Sequence, residues 1–565
     1  MAQGTHGGRA RAPNPIAAPG VWGRAGNLGL AYFGAPTFLG LGAMPSVKEC
    51  VTVHIGQAGV QTGMQTWELF TQEHGIQPDG TRIDDGYTDF DPEDTTYASF
   101  FHETNSGQHV PRAVFVDTEP TCINDIKVSN MSRLFHPDTL VSYKQDCKSN
   151  FFEGRTMASA FKIQETVLDR IRLAIDLCEN PQGFFVFHSV GGGTGSGIGV
   201  EVLHDMKDQF DKKAIFQPVI YPSSNYSSCI VEPYNCVFAT HFMKEVVDLS
   251  IMLDNQAAYS ICENSLQIKT PHFSHVNRLI AQCISGATAP LRYETELNAT
   301  LAEVQHNLVP MPTFRYPIVS LAPVRHAERG AHEKFNTPEI ITELFDEKNY
   351  LCEIKKLNAN RYLAAVVIMR GDGSGDTGDM EPSAASSGPS YGKKSVVKPI
   401  SFNGCISTLN SLRNPPPHKT HTRAIKFCPW MEGSGIKLGI VKARPHIPKE
   451  FCMSDSSRQG ICLGNNTAVR QLFVRQYVRF LKLFYHKAYV WQFIGANGDD
   501  DTFVEAKESM RDLIDEYERL LGSCASAEND RMQASGVSTT VRLMGQTTRA
   551  QENATASPER MAQLR

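Results

Sequence analysis

The chain has 565 residues, 41% of them hydrophobic and 9% aromatic, enough to bury a sizeable core in roughly two to four domains. Acidic residues outnumber basic ones 60 to 55, a formal charge of −5, so no basic excess points to nucleic acid or another polyanion. No apolar run reaches about 18 residues, which argues against a membrane span. The 14 cysteines are scattered without CxxC pairs and no secretory signal is apparent, the pattern of a reduced intracellular protein rather than a disulfide scaffold or zinc module.

Residues 1–45 are rich in Gly, Ala and Pro, and the first acidic residue is Glu49. Pro13, Pro15, Pro19 and Pro36 interrupt any amphipathic helix, so the segment reads as a disordered extension, or as sequence ahead of a natural start at Met44, more readily than as a transit peptide. From Val51 the pattern is α/β. Val51, Val53 and Ile55 alternate as a strand, Gly56 to Gly59 break it, and a helix is predicted towards Glu73. Strands are predicted at 113–116, 184–188, 215–220 and 246–253, with helices between them. In one helix Leu168, Ile171, Ile175 and Cys178 recur as a buried stripe. Such alternation predicts a doubly wound, mainly parallel sheet with helices on both faces and ligands at the carboxyl ends of its strands. A second α/β section runs from about 314 to 466, with strands at 318–321, 363–369 and 437–441, interrupted by a Gly/Ser/Pro-rich insertion at 371–398. The C-terminal part reads as helical, with Phe503, Ala506, Met510, Leu513, Tyr517 and Leu520 forming one seam. After Ser523 the chain is expected to be structureless.

The strongest chemical signal is Gly191-Gly192-Gly193-Thr194-Gly195-Ser196-Gly197, between an apolar strand and a helix starting near Gly197. Glycines let backbone N–H groups converge on a phosphate and the helix N-terminus adds positive potential, while Ser189 and Thr194 supply hydroxyls. The loop has neither the Lys-Ser/Thr of a Walker A loop nor GxGxxG spacing. It resembles the tubulin signature, and the resemblance extends from about Val47 to Ser523. It includes Gly56-Gln57-Ala58-Gly59-Val60-Gln61, His109-Val110-Pro111-Arg112, Val231-Glu232-Pro233-Tyr234-Asn235 and Asn307-Leu308-Val309-Pro310.

The resemblance implies a GTPase-type nucleotide domain, an intermediate domain over 253–465, a C-terminal helical hairpin over 466–523, and GTP held by several strand-end loops. Gln57, Ala58, Ser189, Gly192, Gly193, Thr194 and Gly195 would surround the phosphates, with Asp146 on the next loop, where Ser149 replaces the usual Asn. Asp117 and Glu119 lie just past a strand, and Glu119 is the expected Mg²⁺-proximal acid. Ser228 and Glu232 sit where the family binds ribose. Asn255 and Asn277 match a guanine edge, and Phe273 would stack on its face. Read without the resemblance, Asn255 is a helix-boundary residue and Asn277 a solvated one.

Several features look α-like rather than β-like: Ala58, Val60, the long 440–466 segment, and above all Glu303, where β chains carry lysine. In α-tubulin the corresponding acid acts in trans on the GTP of an adjoining β subunit, which implies weak GTP hydrolysis on polymerisation, a heterodimer with β-tubulin, and a cytoplasmic, cytoskeletal microtubule location. Thr300-x-x-Glu303 is equally a capping box, and the two roles are compatible. Thr300 stands where the family usually has a second acid, which implies weakened hydrolysis. Residues 525–565 hold four acids and five arginines, ending at Arg565, so tail-dependent binding of motors and modifying enzymes is expected to be altered. The segment 81–107 has no lysine for acetylation but carries Asp84, Asp85, Asp89, Asp91, Glu93 and Asp94, read as a solvated loop. Two rival readings are a non-assembling, tubulin-like GTP-binding protein and, far behind it, a dinucleotide-dependent enzyme.

Overall fold

Alternate residues of the first strand serve two different cores. In β1 (Glu49–Ile55) every residue is buried; Val51, Val53 and Ile55 join one apolar cluster and Cys50 the other. The same split recurs in β6 (Pro181–Ser189), where Phe184 and Val186 face one cluster and Phe185 and Phe187 the other. Strands buried on both faces belong inside a sheet covered by helices on both sides. The remaining strands are β2 (Phe101–Glu103), β3 (His109–Pro111), β4 (Ala113–Asp117), β5 (Leu140–Ser142), β7 (Ala214–Tyr221), β8 (Leu249–Asp254), β9 (Ile318–Ala322), β10 (Tyr362–Arg370), β11 (Ile436–Val441) and β12 (Gln459–Asn466). This computed structural model describes residues 48–82, 95–293, 295, 300–330, 336–371, 400–414 and 425–534, apart from 224, 226, 228, 356, 432, 449, 450 and 455.

Ten strands form one sheet in the order β11-β10-β12-β9-β8-β7-β6-β1-β4-β5, and β2 pairs with β3 separately. The fold is α/β and the sheet mainly parallel; within it β12 runs antiparallel to both its neighbours. The second α/β section therefore continues the first sheet, joined where Met252 of β8 meets Ile318 of β9. Strand β12 went unrecognised in the sequence, and the strand expected at 246–253 begins only at Leu249, because Val246 and Val247 still turn off the preceding helix by bonding to the Met243 carbonyl.

The helices that frame the two ends of this sheet are α1 (Gly56–Glu73), α2 (Pro120–Val128), α3 (Phe151–Ala160), α4 (Ile163–Asp176), α5 (Gly199–Gln209), α6 (Glu232–Met243), α7 (Asn255–Asn264), α8 (Phe273–Arg292) and α9 (Leu301–Leu308). Leu168 and Ile171 are buried on α4, but Cys178 lies beyond its end, against the Arg112 guanidinium at 3.3 Å. Helix α8 is buried around most of its circumference and crosses the molecule between α1 and the β10–β12 half of the sheet. At its far end Glu73, from the end of α1, accepts from Arg292 at 2.6 Å and from Arg370, the last residue of β10, at 2.9 Å, with Ser285 bridging them. All three charged side chains are essentially inaccessible to solvent. Burial alone would raise the Glu73 carboxyl, but the two guanidinium groups hold it well below the usual carboxylate range.

The C-terminal seam from Phe503 to Leu520 is buried as predicted. The expectation of no structure after Ser523 is corrected: the helix runs Asp500–Ala534, and Cys524 extends the seam, completely buried. The N-terminal segment 1–45, the acidic run from Asp84 to Asp94, the insertion at 373–398 and the tail beyond 534 lie outside the described residues.

Candidate functional site

Strands β1, β4, β6, β7 and β8 end side by side, and the segments leaving them line a cleft of about 360 Å³. Gln57 and Ala58 enter it from the start of α1, which begins at Gly56 with φ +74°, a conformation glycine adopts without strain. A β-carbon on Gly56 would come within 3.1 Å of the Gly195 amide nitrogen, so close approach adds to the demand.

The glycine loop owes its composition to packing more than to positive φ, since no residue from Gly191 to Gly197 has positive φ. A β-carbon on Gly193 would meet Asn150 N and Cys147 Cβ at 2.8 Å, on Gly195 the Ser189 carbonyl at 2.6 Å, and on Gly197 the Phe151 carbonyl at 2.3 Å. Gly192 differs: nothing lies within 4 Å of its β-position, and it lines the cleft. The loop leads into a π-helical turn, Thr194–Ile198, before α5 begins at Gly199, a wider start than the helix expected near Gly197. Ser189 Oγ accepts from Gly191 N at 3.2 Å, and the Thr194 and Thr118 hydroxyls stand 2.8 Å apart.

Three carboxylates line one side. Asp117, at the end of β4, is buried, and burial pushes its carboxyl up to about 6, with Glu119 and Asp146 adding to the rise. Glu119, exposed, is the N-cap position of α2 and accepts from Thr121 Oγ at 2.9 Å; Asp146 is exposed. Among the described residues no three His, Cys, Asp or Glu side chains form a metal cage by themselves. Hard carboxylate oxygens beside the glycine loop are of the donor type that fits Mg²⁺, which binds through one or two carboxylates together with water and phosphate.

The cleft is further lined by Glu232, Asn255, Phe273 and Asn277. Glu232, buried at the start of α6, accepts from Ser227 Oγ at 2.6 Å; the adjacent Ser228 lies outside the described residues. Asn255 is the first residue of α7, but the cap is Asp254, which accepts from Gln256 N, so the Asn255 amide is not used as the cap. Asn277 is buried and accepts from Thr62 of α1 at 3.3 Å, unlike a solvated position. Phe273 leads α8 with 53% of its surface exposed, an aromatic face open to the cleft.

Glu303 is elsewhere. Thr300 Oγ accepts from the Glu303 backbone N–H at 3.2 Å, so the N-cap of α9 is made. The residue after Thr300, Leu301, packs on Gly183, where a β-carbon would lie 3.0 Å from Leu301 Cδ1. Gly183 is near the amino end of β6 and Ser189 at its carboxyl end, six residues apart, about 20 Å. Helix α9, which carries the acid, thus packs at the end of β6 opposite to the glycine loop.

Sequence reasoning missed Asn235, which is wholly buried and bonds the glycine loop to the loop before α3. It also missed the left-handed pair Lys148 and Ser149, whose φ values are +49° and +52°. The pairing of Asn235 with segments 44 and 86 positions away has no local signature.

Residues 49–263 match the Tubulin/FtsZ family, GTPase domain, and residues 312–379 the Tubulin C-terminal domain. The chain is 36% identical over 491 residues to the Tubulin alpha-1 chain of Arabidopsis thaliana, covering 86% of this chain and 99% of that protein. It is 35% identical over 484 residues to the Tubulin alpha-3 chain of Zea mays, with the same coverage. Likeness sustained along almost the full length of both relatives, together with both family domains in order, shows that this chain belongs to the tubulin family as a divergent α-tubulin-like member.

Proposed function

We propose that this chain is an α-type subunit that binds GTP in the strand-end cleft, pairs with β-tubulin in microtubules of the cytoplasm, and lends Glu303 to the GTP of an adjoining β subunit. The observation that carries the reading is the polar separation: α9, the helix that carries Glu303, packs through Leu301 on Gly183, about 20 Å of strand from Ser189 and the glycine loop beyond it. It cannot serve that loop, yet a neighbour stacked end to end would present its nucleotide to this pole.

In the cleft, Ser189, Gly192, Gly193, Thr194 and Gly195 with Gln57 and Ala58 would surround the phosphates. Glu232 and Ser228 would hold the ribose, Asn255 and Asn277 the guanine edge, and Phe273 its face. Bound Mg²⁺ would neutralise phosphate charge, with Glu119 the nearest acid and Asp117 and Asp146 beside it. In the trans role Glu303 would orient the attacking water and accept its proton. The loss of a second acid at Thr300 slows this step relative to an ordinary α subunit.

The test is co-assembly with β-tubulin, monitored by sedimentation and phosphate release. Glu303→Gln keeps the backbone N–H that Thr300 caps and removes only the carboxylate. The variant should still sediment with β-tubulin while phosphate release falls by about 100-fold or more. Equal release by variant and wild type would refute the trans role. Wild-type chain that stays in the supernatant with its nucleotide intact would favour a non-assembling GTP-binding protein.

A further inference from the structure

The cleft wall is built from two loops that share no secondary structure. One is the glycine loop; the other runs from Asp146 to Asn150 into α3. The second carries Lys148 and Ser149 in succession in the left-handed region, which non-glycine residues rarely adopt and which persists only where neighbouring structure enforces it. The enforcing contact reaches across from α6. Asn235 has no exposed surface, and its amide donates at 2.7 Å to the Ser149 carbonyl and at 2.7 Å to the Gly191 carbonyl, while its oxygen accepts from Phe151 N at 3.0 Å. Both amide protons are therefore spent on the two loops, and the acceptor is spent on the first residue of α3.

The Gly191–Gly192 peptide is planar, with its N–H opposite its C=O. Holding the Gly191 carbonyl towards α6 therefore turns the Gly192 N–H to the other edge of the plane, at the one glycine of the loop whose β-position is open. We infer that Asn235 is a positioning residue for the phosphate cradle: it locks the glycine loop to the strained Ser149 turn and so aims the Gly192 N–H at the terminal phosphates of a nucleoside di- or triphosphate. The inference rests on the guanine-nucleotide reading of the cleft. It adds a residue that touches no ligand.

An aspartate at this position keeps the acceptor for Phe151 but sets a carboxylate oxygen against two carbonyls; a serine keeps one donor. The purified full chain, as wild type, Asn235→Asp and Asn235→Ser, is titrated calorimetrically with GTP, GDP and guanosine, with thermal melts of each ligand-free protein. The aspartate variant should bind GTP and GDP about 10- to 100-fold more weakly, the serine variant should fall in between, and guanosine binding should stay within about twofold of wild type. Equal weakening for all three ligands, or no weakening for any, would overturn the inference. So would collapse of both variants, which would assign Asn235 to folding. Wild-type protein that binds none of the three ligands would instead remove the guanine-nucleotide reading itself.

Discussion

Asp117 shows how one buried carboxylate ties the site to stability. Its carboxyl is pushed from the ordinary 3.8 to about 6 by burial, helped by Glu119 and Asp146, so in the folded chain it prefers to be neutral. The sign comes from linkage: the associated stability is fully present below about 3.8 and is lost as pH rises through about 6, a span worth about 3 kcal/mol at most. Thermal melts of the nucleotide-free chain should therefore show wild type losing stability between pH 4 and pH 7 relative to Asp117→Asn; parallel profiles would contradict this. A bound divalent cation favours the ionised form, so the slope should flatten with Mg²⁺ and GTP present. At this scale the sequence was informative where chemistry was local. Ser189, Thr194 and the glycines announced themselves by spacing between a strand and a helix. Phe273 and Asn277 were legible only through family resemblance, because their place in the cleft depends on how α8 crosses the sheet.

Elements were legible in proportion to their periodicity. The C-terminal helix, with its apolar residues three and four apart, matches its expected seam, including Tyr517. That tyrosine is completely buried, and its hydroxyl has no hydrogen-bond partner among the described residues. An unsatisfied buried hydroxyl is a cost rather than a contact, so Tyr517→Phe should leave stability unchanged or raise it by about 1 kcal/mol. A clear fall in the melting temperature would argue against that. Strand β12 shows the opposite case. Gln459-Gly-Ile-Cys-Leu-Gly-Asn-Asn has no alternation because it is buried on both faces, polar residues included; the Asn465 amide donates to the Leu308 and Phe314 carbonyls. Its glycines meet side chains closely, as where a β-carbon on Gly464 would lie 2.9 Å from Tyr362. Such a strand is written in contacts with β9 and β10 rather than in its own pattern.

For the whole molecule, the Glu73, Arg292 and Arg370 cluster joins α1, α8 and β10 across 297 positions of sequence. Glu73→Gln would leave two buried guanidinium groups facing each other without their carboxylate, a loss of about 3–5 kcal/mol. Its urea midpoint should fall accordingly, and an unfolding free energy lowered by less than about 1 kcal/mol would show the cluster to be relaxed by neighbours. Because the Glu73 carboxyl is held low, its contribution is present above the ordinary carboxylate value of 4.5 and fades as pH falls below it. None of this was visible in the sequence, where the three residues are ordinary charges far apart.

Gly193, Gly195 and Gly197 are wedged against neighbouring backbone and the Cys147 side chain. A floor cast so tightly has few conformations to surrender when a ligand settles on it, so little affinity is lost to ordering the mould.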